Sequence, residues 1–134
     1  MDGMVDKMNS RTKGKVAERE IANILKGYGY DAHRGQQYSG LAGDADVVGV
    51  DGIHIEVKRR EQFSDEPSLQ QAERDARKGE IPIVFYRRSR EKWKATMRMD
   101  MFMLIWNELT DLQKYQIREK IKFSVKSEKI GKQP

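Results

Sequence analysis

The sequence predicts an α/β domain in which a mixed β-sheet is flanked by helices. Short β-branched and apolar runs, typical of strands, occur between segments that have the periodicity of helices. A strand–helix–strand passage also follows an antiparallel hairpin, which gives the order α-β-β-β-α-β-β-α. A chain of 134 residues fits one domain of ordinary size. We therefore predict a single domain over residues 1–134, with loosely ordered ends at 1–11 and 126–134.

The first predicted helix starts at Thr12 and is amphipathic. Gly27 and Gly29 are expected to end it, and residues 30–34 can form a short first strand. The glycine-rich segment before Ala45 predicts a loop. One face of the helix carries an apolar stripe at helical spacing, formed by Ala17, Ile21, Ile24, Leu25 and Tyr28.

A β-hairpin is predicted next. Residues 45–50 form a β-branched run, Asp51-Gly52 is a favoured two-residue turn, and residues 53–60 form the partner strand. Pairing about that turn places Val48 opposite Ile55. Alternation along the partner strand puts its apolar residues on one face and its polar residues on the other.

The two arms of this hairpin carry Asp46 and Glu56, which a regular register would separate. Pairing about the predicted turn places Asp46 opposite Val57, and directly opposed residues share a face of the sheet. The two carboxylates can meet only if a bulge shifts the register by one residue, or if Asp46 precedes regular pairing. We expect such a break near Gly49, because glycine within a strand often marks a bulge.

The remaining elements follow from periodicity. A second helix carrying Leu69 and Ala72 follows Pro67 and ends by Gly79. The apolar run 81–86 is typical of an interior strand, and residues 93–99 alternate as in a half-buried strand. Asp100 and Thr110 are expected to cap two further helices, the second of them over residues 110–125. The four methionines from Met97 to Met103 are interpreted as core residues.

Charge and cysteine content narrow the function classes. Lys and Arg number 26 against 21 acidic residues, a net charge of +5, and the basic residues cluster around 7–15, 58–60 and 87–94. Such an excess favours polyanionic partners. The absence of cysteine excludes a disulfide framework, a thiolate zinc site and a cysteine nucleophile. No apolar segment predicts a membrane span or a secretory signal, so we expect a cytoplasmic protein.

Glu56 and Lys58 share one face of their strand, and this allows two interpretations. One is an exposed ion pair, which contributes less than ~1 kcal/mol. The other requires Asp46 beside Glu56, because two carboxylates and a backbone carbonyl, that of Val57, are sufficient ligands for Mg²⁺. Such an ion stabilises charge on a phosphate and activates water, while a neighbouring lysine neutralises the developing charge.

The spacing Asp46-(x)9-Glu56-x-Lys58 resembles the PD-(D/E)xK nuclease motif, with Ala45 where that motif often has proline. Further matches occur in order along the chain. Together they resemble archaeal Holliday-junction resolvases and small phage-encoded endonucleases, over about residues 14–103, with the C-terminal helix outside. The matching segments are Gly14-Lys-Val-Ala-Glu18-Arg19-Glu20, Gly29-Tyr30, Arg34 and Ser39-Gly40.

This resemblance implies a restriction-endonuclease-like fold and a metal-dependent endonuclease that resolves four-way DNA junctions. Mg²⁺ is the implied cofactor, with Mn²⁺ able to replace it. Two symmetric cuts imply a homodimer. The implied metal ligands are Glu18, Asp46 and Glu56, with Lys58 as catalytic lysine and Ser39 as a loop serine near the scissile phosphate. The basic residues available for phosphates are Lys15, Arg19, Arg34, Arg59 and Arg60.

Several alternatives stay open at this level. Glu18 can equally be a solvated helix residue, and Asp44 can contribute to the site through water. Gln70 or Gln71 can steady the site, or both can lie on a solvated face. His33 and His54 lack the spacing of a metal pair, so structural roles are favoured. The rival functions are a nuclease of the same fold that acts on nicked, flapped or duplex DNA, and a non-catalytic basic DNA-binding module.

Overall fold

The computed structural model describes the backbone of residues 10–35 and 45–131, and the side chains of residues 11–35 and 45–124. Over these residues the element order is α-β-β-β-α-β-β-α-α. The elements are α1 (Ser10–Gly27), β1 (His33–Arg34), β2 (Val47–Val48), β3 (Ile53–Arg59), α2 (Asp65–Asp75), β4 (Ile81–Arg87), β5 (Lys94–Thr96), α3 (Met99–Glu108) and α4 (Asp111–Gly131).

The chain separates into two compact units, Met1–Met97 and Arg98–Pro134. The first contains the sheet with α1 and α2, and the second contains α3 and α4. The single-domain prediction stays a prediction. Of the ends expected to be loosely ordered, residues 1–9 and 132–134 lie outside the described residues, whereas 10–11 and 126–131 are helical.

Helix α1 has the predicted position and most of the predicted apolar face. Ala17 and Ile21 are buried, and Leu25 packs at the edge of the same cluster. Tyr28, in contrast, is 77% exposed, because the helix ends at Gly27 and the chain turns away through Gly29 with a φ of 99°. Glycine is favoured there, since other residues rarely adopt this left-handed conformation.

The five strands form one mixed sheet in the order β1-β2-β3-β4-β5. The pairs β1–β2, β2–β3 and β4–β5 are antiparallel, and β3–β4 is parallel. Helix α2 connects the parallel pair, so the predicted strand–helix–strand passage is confirmed. Strand β4 is interior as expected, whereas β1, β2 and β5 are each shorter than the segments predicted from sequence.

The predicted register break in the hairpin is confirmed. Strand β2 pairs Val47, rather than Val48, with Ile55, a shift of one residue. The predicted two-residue turn is therefore wrong: residues 49–52 connect the strands. Gly49 permits this path, because it has a φ of 108° and passes so close to the segment before β1 that a Cβ atom there would clash with the Asp31 carbonyl oxygen.

The two faces of the sheet carry separate apolar clusters. On one face, Ile55 and Val57 of β3 join Ala17 and Ile21 of α1. On the other face, Leu69 and Ala72 of α2 pack on Val84 of β4. Because Val84 pairs with Glu56, and not with the apolar β3 residues, the polar side chains of β3 lie on the α2 face.

The second unit is a pair of helices. The predicted cap of α4 is confirmed: the backbone N–H of Gln113 donates to Thr110 Oγ1 over 3.1 Å, and Gln113 Oε1 accepts from the Thr110 N–H over 2.8 Å. Helix α3 has no buried residue, and Met99 and Met103 are 79% and 39% exposed, so the interpretation of these two methionines as core residues is wrong. Among the helices that the structure describes, none has the length and apolarity needed to cross a membrane.

Candidate active site

The α2 face of β3 presents His54, Glu56 and Lys58 in succession. His54 and Glu56 are each only 1% exposed, as buried as Ile55 on the opposite face. The interpretation of Glu56 as half of an exposed ion pair is therefore wrong. A carboxylate removed from water to this extent costs free energy unless it is hydrogen-bonded or binds a cation.

Asp46 meets Glu56 because of the register shift. Its backbone N–H donates to the Ile55 carbonyl over 2.9 Å, and its Oδ2 accepts the backbone N–H of Val57 over 2.8 Å. The Asp46 carboxylate thus accepts the Val57 N–H in place of a backbone carbonyl of the neighbouring strand, just before the regular pairing of β2 with β3 begins. A side-chain hydrogen bond also joins Asp46 to Glu56. The structure therefore brings together the two acids that a regular hairpin would separate.

The electrostatics of this pair suit a cation. Burial, followed by the charge of Glu56 and the hydrogen bond to it, raises the pKa of Asp46 from 3.8 to about 8. Two adjacent carboxylates can share a proton, or a bound cation can remove their repulsion. The donor set fits a hard divalent ion, since the Val57 carbonyl lies on the same strand edge as its N–H group and Val57 lines the adjoining groove.

Glu18 reaches the same groove from α1, but its carboxylate is already paired. Arg34 Nε donates to Glu18 Oε2 over 2.9 Å, and the Glu18 side chain is 15% exposed. The negative charge of Glu18 also contributes to the raised pKa of Asp46. Its predicted role as a third metal ligand stays a prediction, and its interpretation as a solvated helix residue is wrong.

Lys58 has a defined neighbour on α2. Its Nζ donates to Gln71 Oε1 over 3.3 Å, whereas the Gln70 amide donates to Glu66 at an exposed position. The ambiguity between the two glutamines is thereby removed: Gln71 faces the candidate site and Gln70 does not.

A strongly basic groove of about 870 Å³ is lined by Glu18, Asp46 and Lys58, whereas Glu56 lies buried beneath it. Among the residues predicted for phosphate contacts, Arg19 is absent from its lining. Arg11 and Lys13 line the groove and were not singled out individually, although the basic cluster at 7–15 pointed to them. The lining residues are Arg11, Lys13, Gly14, Lys15, Glu18, Arg34, Asp46, Val57, Lys58, Arg59, Arg60 and Gln71.

Two predicted residues of the loop before Ala45, Ser39 and Asp44, lie outside the described residues. Their predicted proximity to the scissile phosphate and to the metal stays a prediction.

His54 contacts the centre directly, which sequence reasoning missed. Its Nε2 lies 2.8 Å from Glu56 Oε1. Burial lowers the pKa of His54, but the hydrogen bond and the charges of Glu56, Glu80 and Asp75 outweigh burial, so the pKa lies above 6.5. The alternation of β3 could have revealed this contact, because His54 and Glu56 are two residues apart on one face.

Comparison with known proteins gives one match to a family model. The model is described as "Phage putative PDDEXK endonuclease" and matches residues 9–133. The matched region includes both compact units, and it extends over the C-terminal helix. No curated protein and no solved structure matches the chain.

Proposed function

Because the chain belongs to this phage PDDEXK endonuclease family, a family of nucleases, we propose that it is a Mg²⁺-dependent endonuclease that cuts branched DNA. The observation that carries this proposal is the meeting of Asp46 and Glu56 beside Lys58 at a basic groove. The α/β fold with its mixed five-stranded sheet agrees with the restriction-endonuclease-like architecture of such enzymes.

Asp46, Glu56 and the Val57 carbonyl would hold the divalent ion, with Glu18 as a further ligand once its carboxylate is released from Arg34. The ion, Mg²⁺ or Mn²⁺ in its place, supplies positive charge for the scissile phosphate and lowers the pKa of the attacking water. Lys58 neutralises charge that develops on the phosphate, and Gln71 holds the Lys58 ammonium toward the groove.

The groove supplies the contacts that hold the DNA backbone. Lys15, Arg59 and Arg60 extend the positive surface beyond the metal ligands, and Arg34 joins them if DNA replaces Glu18 as its partner. Phosphate contacts of this kind position a duplex without reading its sequence. Such contacts suit an enzyme that selects DNA by shape. Ser39 would add one more contact of this kind near the scissile phosphate.

Resolution of a four-way junction requires two symmetric cuts, so the proposal includes a homodimer with two sites. DNA of an infecting phage lies in the cytoplasm of its host, so the proposal also places the enzyme there. A nuclease of this fold that acts on nicked, flapped or duplex DNA is the nearest alternative.

A non-catalytic DNA-binding module is the alternative from another class. The burial of the two acids argues against it. Adjacent buried carboxylates destabilise a fold, and a module that only binds phosphates gains nothing from them. Their retention beside Lys58 supports a role in chemistry.

The test is cleavage of labelled four-way junction, flap, nicked and linear duplex DNA with Mg²⁺, with Mn²⁺ and with EDTA. We expect metal-dependent cutting that is fastest on the junction, in symmetric pairs of nicks. Cutting of duplex alone would support the nearest alternative. Binding without cutting of any substrate, with either metal, would refute the enzyme proposal.

A further inference from the structure

His54 lies behind the metal-binding acids rather than in the groove. The histidine is 1% exposed and does not line the basic groove; it borders a smaller cavity of about 200 Å³ with Glu80 and Arg77. Its position two residues before Glu56 brings the two side chains together on the α2 face of β3.

The contact between them restrains Glu56. Nε2 of His54 is 2.8 Å from Oε1 of Glu56, and both side chains are at most 2% exposed. A carboxylate that binds a metal ion is ionised and can only accept hydrogen bonds, so Nε2 carries the hydrogen when Glu56 acts as a ligand. In a site closed to water, this bond holds the carboxylate without competition from solvent.

The far side of the imidazole faces Glu80, and a third acid, Asp75, lies close by. Nδ1 lies 3.9 Å from Glu80 Oε1, and the ligand atoms of His54, Glu56 and Asp75 all lie within 4.8 Å of one another. The Glu80 carboxylate on the outer side of the ring favours the orientation in which Nδ1 points toward it and Nε2 points toward Glu56. The ring is thus constrained from both ends.

We propose that His54 is a positioning residue: it holds one oxygen of Glu56 so that the other oxygen is directed to the metal ion. This inference rests on the proposed function, because it assumes that Glu56 is a metal ligand. Hydrogen bonds of this kind to metal-binding carboxylates typically change metal affinity by about 10- to 100-fold.

The same three residues could instead bind an ion themselves, with His54 as a ligand. The burial of His54 and Glu56 and their direct hydrogen bond favour the positioning role, because an ion there would have to break that bond. The two roles predict different binding stoichiometries.

The experiment measures Mn²⁺ binding to the DNA-free protein by electron paramagnetic resonance of the free ion. The variants are His54→Asn, His54→Gln and the control His33→Asn, an exposed histidine of β1. A glutamine side chain can place an amide nitrogen near the Nε2 position, whereas asparagine reaches only the Nδ1 position. Thermal melting followed by circular dichroism verifies that each variant is folded.

We expect His54→Asn to weaken Mn²⁺ binding by about 10- to 100-fold at unchanged stoichiometry, and His54→Gln and His33→Asn to bind as the wild type does. Wild-type affinity in His54→Asn, or equal weakening in His54→Gln, would refute positioning through a donor at Nε2. Loss of a whole equivalent of Mn²⁺ would show instead that His54 is a ligand.

The assay separates this inference from the proposed function. If the wild type cuts no DNA while the variants follow the expected order of Mn²⁺ affinity, only the nuclease proposal fails. If the wild type cuts DNA and all variants bind Mn²⁺ equally, only the positioning role fails. Absence of Mn²⁺ binding by the wild type would refute both.

Discussion

Burial has opposite effects on stability at the two faces of β3. On the α1 face, Ile55 and Val57 are buried among alanine and isoleucine side chains, an arrangement that stabilises the fold through the hydrophobic effect. On the α2 face, His54 and Glu56 are equally buried, but each is a polar group that loses hydration. Burial therefore stabilises the fold on the first face and destabilises it on the second. The candidate active site explains why polar groups are buried there in spite of this destabilisation.

The largest effect we expect is on the polar face. Lys58→Ala and Glu56→Gln should reduce cleavage by at least about 100-fold, because each removes a group that we propose acts on the phosphate or the ion. Glu56→Gln should leave the melting temperature unchanged or higher, since it removes a buried charge. Junction binding, measured by gel shift, should persist in both. Cleavage at the wild-type rate by either variant would contradict the site assignment.

A substitution on the apolar face should have the opposite result, a loss of stability with little loss of activity. Ile55→Ala is expected to lower the free energy of unfolding by about 2–5 kcal/mol, because it leaves a cavity beside α1. Urea denaturation measures this loss. At a temperature where the variant remains folded, its cleavage rate should be close to that of the wild type. A large loss of activity without a loss of stability would show that the two faces are not separable.

The polar face should also make stability depend on pH. In EDTA, the pKa of Asp46 is about 8 in the folded protein and near 3.8 when unfolded, so between these values the folded state retains a proton that the unfolded chain has released. The contribution of Asp46 to the free energy of unfolding is therefore fully present below pH 4 and is lost as pH rises through 8.

Urea denaturation of wild type and Asp46→Asn at pH 5 and at pH 8 tests this dependence. We expect the wild type to lose more stability than the variant between the two values, because asparagine does not titrate. Added Mg²⁺ should reduce the difference by replacing the proton. Identical pH dependence in the two proteins would contradict the raised pKa.

A smaller effect is expected from the neighbour of the lysine. Gln71→Ala should lower the cleavage rate by roughly 10-fold, because Lys58 loses the partner that fixes its ammonium group. Gln70→Ala is the matched control, since Gln70 bonds to Glu66 on the exposed side of α2. Single-turnover cleavage rates measure both. Equal rates in the two variants would show that Gln71 is not a positioning residue.

The smallest effect should come from one phosphate contact. Lys15→Ala should weaken DNA binding and reduce the slope of log affinity against log salt by about 1, as expected for one lost contact. Lys26→Ala, on the same helix but outside the groove, should leave the slope unchanged. Fluorescence anisotropy across a range of salt concentrations measures the slopes. Equal slopes in the two variants would show that DNA does not contact Lys15.

The sequence by itself determined the local features of this protein. Helical periodicity locates α1, the apolar run 81–86 locates β4, and Gly49 marks the register break. These features follow from interactions between near neighbours, which composition and spacing report directly. The Asp46, Glu56 and Lys58 set is likewise visible as a spacing, and the family match confirms the resemblance that this spacing indicates.

Only the tertiary structure decided which side chains meet. Sequence alternation places His54 beside Glu56 but does not reveal that α2 buries this face of the sheet. The choice of Gln71 over Gln70, and the pairing of Glu18 with Arg34, depend on how helices lie across the sheet. Such contacts join residues distant along the chain, and their geometry is set by the packing of whole elements rather than by local preference.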